Sequence, residues 1–338
     1  MDRLAIVILN WNGCGMLEKF LPTLLRCSAV DGVSVVVADN CSTDGSVNMM
    51  QKNFPQVRMI QLDKNYGFAG GYNLALEQIE AEYYMLLNSD VEVTDGWLTP
   101  MLEYMDSHSD VAACQPKLRD LKSPEMFEYA GGAGGYMDKW GYLFCRGRIM
   151  DSVEKDSGQY DDVRDVFWAT GAALLIRSVD YNRAGGLDER FFAHQEEVDL
   201  CWRLRSRGRR IVCVPQSVVL HLGGATLHRE NPYKTFLNFR NNLLMLYKNL
   251  PENRLHKVLA VRFFLDMLAM LMFVFQLKLK DAAAVLRARR EFCRIRSEFL
   301  PERLDNINAS TQTDIPEIAG FSMLWKHYIL RVSRYSDL

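Results

Sequence analysis

The 338-residue chain has no C-x-x-C pair, and its eight cysteines (Cys14, Cys27, Cys41, Cys114, Cys145, Cys201, Cys213 and Cys293) are scattered. That spacing indicates neither a zinc site nor a disulfide scaffold, and thiols in a reducing compartment are the plain reading. The chain has no excess of positive charge. Lys plus Arg number 40 against 42 for Asp plus Glu, a net charge of -2, which excludes nucleic-acid binding driven by global charge. There is no internal repeat, no low-complexity stretch, no P-loop and no G-x-G-x-x-G fingerprint. The first apolar run, Leu4–Leu9, is too short for a signal h-region and lacks a small-residue cleavage site. It reads as a buried strand, and a cytoplasmic protein is expected.

What is present has a globular balance, 49% hydrophobic and 24% charged. The length allows two domains, or one large domain with an appendage. The first third alternates strand and helix signals. Apolar runs at Leu4–Asn10, Ser34–Asp39, Val57–Gln61 and Tyr83–Leu87 alternate with helical spacing at Met16–Arg26, after Asp44 and at Tyr72–Ile79. Unbroken apolar strands alternating with helices predict a mostly parallel sheet covered on both faces. Ligands of such sheets bind beyond the carboxyl ends of the strands, where Asn10, Asp39 and Asp90 fall. Residues 120–165 read as loops and short strands. Ala172–Ile176, Ile211–Val214 and Val218–Leu222 read as strands, and Glu196–Arg207 as a helix.

Each candidate group has a plain structural reading beside its chemical one. Asp39 can accept hydrogen bonds from a nucleobase imide or a ribose hydroxyl, or it can serve turn chemistry with Asn40, Ser42 and Asp44. In Asn65–Asn73 the glycines, Gly67 among them, permit close backbone approach to a ligand ahead of a helix, or make a tight turn. The Asn88-Ser89-Asp90 strand end suits Mg2+ or Mn2+, or an Asx-turn. Glu196, Glu197 and Asp199 open a helix beside Phe191-Phe192. Adjacent carboxylates there shift one another's pKa, and capping is the bland account. Arg203, Arg205, Arg207, Arg209 and Arg210 read as a solvated helix end, with an anion contact as the alternative. His221, at the end of a strand, is a structural histidine or a metal contact.

The last hundred residues are strongly apolar from Leu255 to about Arg290, interrupted by Arg262 and Asp266. No uninterrupted part approaches the roughly 20 residues of a membrane span. Basic flanks fit a helix in the membrane interface. A buried helix or a dimer contact is the alternative.

In this order and spacing the motifs resemble the family 2 inverting glycosyltransferases of the GT-A fold, most of all their bacterial rhamnosyltransferase-like branch. The resemblance rests on VILNWNG (7–13), VVVADNCSTDGS (35–46), NYGFAGGYN (65–73), LLNSDV (86–91), TGAALLIR (170–177), FFAHQEEVDLCWRLRSRG (191–208), HLGGAT (221–226) and FRNNLLMLYKN (239–249). It implies a GT-A, nucleotide-diphospho-sugar transferase fold. Residues 1–115 would be its nucleotide-sugar half, 116–250 its acceptor and catalytic half, and 251–338 a helical extension. Asn10, Asp39, Asn65, Gly67, Asn73 and Asn88 would border the nucleotide sugar. Asp90 would be the carboxylate of the family's metal-binding Asp-x-Asp, whose first Asp is Asn88 here, with His221 as a second metal contact. Glu197, preceded by Glu196, stands where the family has its catalytic Asp, and Tyr72 where it often has Arg.

The resemblance implies inverting transfer of a sugar, rhamnose being one candidate, from a UDP- or dTDP-linked donor with Mg2+ or Mn2+. The acceptor would be a saccharide or polyprenol-linked saccharide of cell-surface polysaccharide. It also implies cytoplasmic work, with peripheral contact at the inner face of the plasma membrane as an open alternative. Two other readings compete. One is a nucleotide-sugar-binding protein with weak turnover, for which Asn88 leaves room. The other is a sugar-phosphate nucleotidyltransferase, which needs basic residues that NWNGCG does not offer.

Overall fold

The computed structural model describes residues 1–223 and 231–338. Its main sheet has nine strands: β1 (Asp2–Asn10), β2 (Val33–Asp39), β3 (Arg58–Gln61), β4 (Ala81–Leu87), β5 (Val91–Val93), β6 (Val111–Asp120), β7 (Arg164–Asp165), β8 (Ala173–Arg177) and β9 (Arg210–His221). Their spatial order is β7-β9-β6-β8-β4-β1-β2-β3, with β5 paired to β9. Strands β1–β4, β6 and β9 share one direction, and β5, β7 and β8 oppose them. The helices are α1 (Cys14–Cys27), α2 (Ser46–Asn53), α3 (Gly67–Leu76), α4 (Leu98–Ser107), α5 (Ser178–Ala184), α6 (Glu196–Ser206), α7 (Pro232–Asn249), α8 (Glu252–Phe275), α9 (Leu279–Ile295) and α10 (Leu300–Ala309).

Strand β1 shows why the sequence reads as continuous apolar runs. Leu4, Ile6 and Ile8 pack with Leu17, Leu21 and Leu24 of α1, while Ala5 and Val7 face the cluster that holds Ala69, Tyr72 and Ala75 of α3. Both sides of the strand are buried, so period-two alternation has no polar face to mark. Asn10 pairs in register with Asp39, and Ile8 with Leu87, so the ends of β1, β2 and β4 meet at one edge.

Two departures from the sequence reading follow from packing. The glycines of residues 65–73 are not a loop ahead of a helix; they are the first turns of α3 itself, from Gly67. A Cβ on Gly71 would lie 2.7 Å from Leu9 Cδ1, and Gly67, at φ +72°, would press on the Phe192 ring at 2.5 Å. Small residues are required there by contact within the protein. The two strands expected at 211–214 and 218–222 are one strand, β9, with a register shift between Val214 and Val218. Residues 120–165 hold a second sheet of short strands at 135–138, 143–145, 148–149 and 152–153. The chain returns from its C-terminal helices to add Ile318–Ala319 parallel to residues 135–138.

The five arginines in the last turns of α6 and just after it form neither a solvated face nor an anion site. Arg203 donates to the carbonyls of Ala184 and Gly186 and pairs with Asp199, while Arg205 pairs with Glu317, Arg209 with Asp180, and Arg210 with Asp110 and Asp165. Arg207 donates to the Arg183 carbonyl. They tie α6 to its neighbours.

Helix α6 is pinned to α7 through one buried carboxylate. Asp199 accepts from Arg203 Nε (3.0 Å), Lys248 Nζ (2.8 Å) and Asn249 Nδ2 (2.8 Å), and Lys248 also reaches Asp188 (2.7 Å). Removing one partner of a buried charge cluster strands the others away from water. Asp199→Ala is therefore expected to cost about 3–5 kcal/mol of stability. Denaturant unfolding checks this; a loss no larger than that of an exposed substitution would contradict the pinning role.

Candidate active site

The ends of β1, β2 and β4 open onto a cavity of about 620 Å3. Trp11, Asn12, Asn40, Asn65 and Gly67 line one side, and Asn88, Ser89 and Asp90 lie at the end of β4. Phe192, His194, Glu196 and Glu197 enter from the α6 side, and His221 from the end of β9. The β5–β9 pairing sets His221 opposite Val91, the neighbour of Asp90. His221 Nε2 lies 3.1 Å from Asp90 Oδ1, and Nδ1 lies 3.4 Å from Glu128 Oε1. Burial by itself would lower the imidazole pKa. Asp90 and Glu128 outweigh it and raise the pKa to about 10.

Glu196 is 3% exposed and Glu197 is half-buried. Burial raises both pKa values, Glu196 well above its usual range with the Glu197 charge adding to it. For Glu197, backbone N–H groups at Gly171 and around the start of α6 offset part of the burial effect. Oε2 of each carboxylate is buried and finds no hydrogen-bond partner among the described residues. Two adjacent carboxyls held apart in proton affinity can divide their roles, the lower one ionised and the higher one protonated.

The segment leading into α6 is strained. Phe192 (φ +65°), His194 (φ +71°) and Gln195 (φ +72°) are all left-handed non-glycine residues, each costing roughly 1–3 kcal/mol. Helix α7 holds them. Asn241 Nδ2 reaches the carbonyls of Phe191 (2.9 Å), Ala193 (2.9 Å) and His194 (2.8 Å), and Asn242 Nδ2 donates to Gln195 Oε1 (2.9 Å). The Phe192 carbonyl accepts from Phe68 N (2.6 Å). That bond takes a donor at the start of α3 that would otherwise be open to an anion.

Of the residues singled out in the sequence, Asn65, Gly67, Asn88, Asp90, Glu196, Glu197 and His221 line this one cavity. Asn10 and Asp39 do not; they lie behind its wall, 0% and 3% exposed. Asn10 Nδ2 donates to Asp39 Oδ1 (3.0 Å) and Ser42 Oγ (3.1 Å), and Ser42 N donates to Asp39 Oδ2 (2.9 Å). Asn73 is a correction. Its side chain serves Leu187 N, Leu187 O and the Tyr181 hydroxyl, tying α3 to the chain ahead of α6. Gly224–Thr226 of the HLGGAT motif lie outside the described residues. Sequence reasoning missed Glu128 and Asn241. Glu128 gave no signal. Asn241 belongs to a run of polar residues inside an apolar helix, which was a legible sign of a buried role.

Among the described residues, no group of three or more metal-ligating side chains gathers. Asp90 offers one carboxylate beside His221, which is an imidazolium at neutral pH and becomes a donor only when a cation takes the place of the proton on Nε2. That donor set fits a divalent cation that keeps water and phosphate oxygens for the rest of its shell.

Residues 5–143 match the family model for Glycosyl transferase family 2. Over 238 residues the chain is 28% identical to the N-acetylglucosaminyl-diphospho-decaprenol L-rhamnosyltransferase of Mycobacterium tuberculosis, covering 65% of this chain and 76% of that protein. Of solved structures, GalNAc-T7 with UDP, GalNAc and Mn2+ matches at TM-score 0.57 and 13% identity, over 73% of this chain and 48% of that one. TarS 1–349 of S. aureus in complex with UDP-GlcNAc matches at TM-score 0.56 and 15% identity, over 91% and 89%. At these identities the shared property is the fold, which is GT-A.

Glu196 holds its proton more tightly in the folded chain than at its usual 4.5. Its contribution to stability is therefore full below that value and is lost as pH rises towards the folded pKa. A glutamine does not titrate. The melting temperature of Glu196→Gln is expected to exceed that of the native chain by a margin that widens as the pH rises above about 4.5. A margin independent of pH in thermal melts would contradict it.

Proposed function

We propose that this chain, whose residues 5–143 match the family model for Glycosyl transferase family 2 and whose fold is GT-A, transfers a hexosyl group with inversion from a nucleoside diphosphate to a saccharide hydroxyl. One observation carries the reading. The Glu196–Glu197 pair, with raised proton affinity, shares a single cavity with the Asp90–His221 pair.

The nucleoside is assigned to the side formed by Asn12, Asn40 and Asn65, with Asn10 and Asp39 as the layer beneath. The diphosphate is assigned to Asn88, Asp90 and His221. Asp90 and His221 would hold Mg2+ or Mn2+, which supplies Lewis-acid compensation for charge on the departing diphosphate. Mn2+ accompanies UDP in GalNAc-T7. Glu197, the carboxyl eased by backbone N–H groups, takes the proton of the acceptor hydroxyl as that oxygen bonds to the anomeric carbon. The bond from that carbon to the phosphate oxygen breaks, and its electron pair leaves with the diphosphate. Attack opposite the leaving group inverts the centre. Glu196 keeps its proton and spares Glu197 a second adjacent charge. The rhamnosyltransferase relative supports rhamnose as the sugar and a polyprenyl-diphosphate-linked saccharide as the acceptor, in polysaccharide synthesis. The donor base is uracil or thymine.

Glu197→Gln is expected to lower kcat by about 10²–10⁴-fold while leaving donor affinity in calorimetry unchanged. The native rate is expected to fall on the acid side at a pH above the usual carboxylate 4.5, since burial raises the base. A near-normal rate, or loss of donor binding, overturns the assignment. Glu128 holds the ring nitrogen of His221 opposite Asp90, so Glu128→Gln is expected to weaken Mn2+ binding by roughly 10–100-fold. Electron paramagnetic resonance titration with nucleoside diphosphate present reads this without turnover, and unchanged affinity would contradict it.

A further inference from the structure

We infer that α8 and the turn into α9 form a lipid-facing surface by which the chain docks on an anionic bilayer. Helix α8 is built inside out. The two charged residues at its middle turn towards the protein, Arg262 and Asp266 being 3% and 0% exposed, while Glu252, Arg254 and Lys257 lie in its first turns. Arg262 bonds Asp266 and the Trp140 carbonyl, and Arg289 of α9 closes on Asp266 at 2.5 Å. Only Leu255, Val258, Arg262 and Asp266 of its 24 residues are buried. The apolar side chains face out. Phe264 is 71% exposed, Leu268 54% and Phe275 84%, with Leu277 at 85% in the turn.

Arg262 and Asp266 interrupt the apolar run within one continuous helix of 24 residues. The helix is long and apolar enough to cross a membrane by length and composition, and only 17% of its apolar window is buried. The alternative of a buried C-terminal helix is set aside by that exposure. The paired charges at its midpoint, bound to the enzyme body, fit a helix lying in the interface rather than crossing.

Two features favour lipid over a protein partner. At 3.6 residues per turn, the outward residues Phe263, Phe264, Leu268, Leu271, Met272 and Phe275 spread over roughly half the helix circumference. A second helix covers a narrower stripe, whereas hydrocarbon covers every exposed side. The charge around this face is of one sign. No Asp or Glu occurs between Asp266 and Asp281, while Lys278 and Lys280 are exposed in and just after the turn. Lysines there can reach anionic headgroups while the leucines enter the acyl boundary. The inference stands independently of the chemistry assigned to the cavity.

Vesicle flotation of the full chain tests it. The native chain is expected to float with phosphatidylcholine vesicles containing phosphatidylglycerol, and more weakly with phosphatidylcholine alone. The triple variant Leu271→Ser, Phe275→Ser, Leu277→Ser is expected to lose roughly tenfold or more in partitioning, with the thermal melt and the turnover of a water-soluble acceptor unchanged. Lys278→Gln with Lys280→Gln is expected to remove the preference for anionic vesicles. No flotation with either vesicle overturns the proposal. So does a dimer in sedimentation equilibrium that the triple variant dissolves while vesicle partitioning stays the same.

Discussion

A buried carboxylate and a half-buried one lie next to each other, each with an oxygen that finds no partner among the described residues, and something must make that arrangement tolerable. The answer is α7. Asn241 and Asn242 gather the carbonyls and the side-chain amide of the strained segment before α6, and Lys248 and Asn249 grip Asp199 one turn further on. A single helix thereby fixes the entry angle of α6 and the direction of its first turn. Without that polar edge, the left-handed residues 192, 194 and 195 would relax and the glutamates would turn towards water. The acidity of the site is therefore a property of packing between α6 and α7.

The sheet supplies the other half. Parallel strands end together, so polar residues separated by tens of positions in the chain arrive at one edge. The antiparallel strand β5 adds a local device: pairing with β9 brings His221 to Asp90 across 131 positions of sequence. Glu128 completes the row from a segment that follows β6. The cavity thus has two electrostatic poles, a pair of carboxyls with raised proton affinity at α6 and an imidazole-carboxylate pole at β4. A donor with an anionic diphosphate and an acceptor hydroxyl requires that separation.

Much of the architecture was legible because burial on both faces of a parallel sheet leaves an unmistakable trace of unbroken apolar strands followed by polar ends. The grouping of Asn88, Asp90, Glu196, Glu197 and His221 was legible too, since each sits at the end or start of a regular element. Asn73 and the glycines of α3 misled for a physical reason. A residue that permits close approach says nothing about what approaches, and here it is Leu9, Phe192 and Leu187. The arginines in the last turns of α6 and just after it misled likewise, because a guanidinium in a sequence does not reveal whether its partner is solvent or a carbonyl.

Local pattern by itself determined the strand and helix order, the edge at which polar residues gather and the apolar character of α8, because these depend on periodicities of a few residues. Tertiary structure alone decided that Asp39 sits beneath the cavity wall, that Asn241 clamps a distant loop, and that Arg262 and Asp266 of α8 face inward. Each of those depends on which side of an element meets a partner far along the chain, and a linear pattern carries no record of that choice.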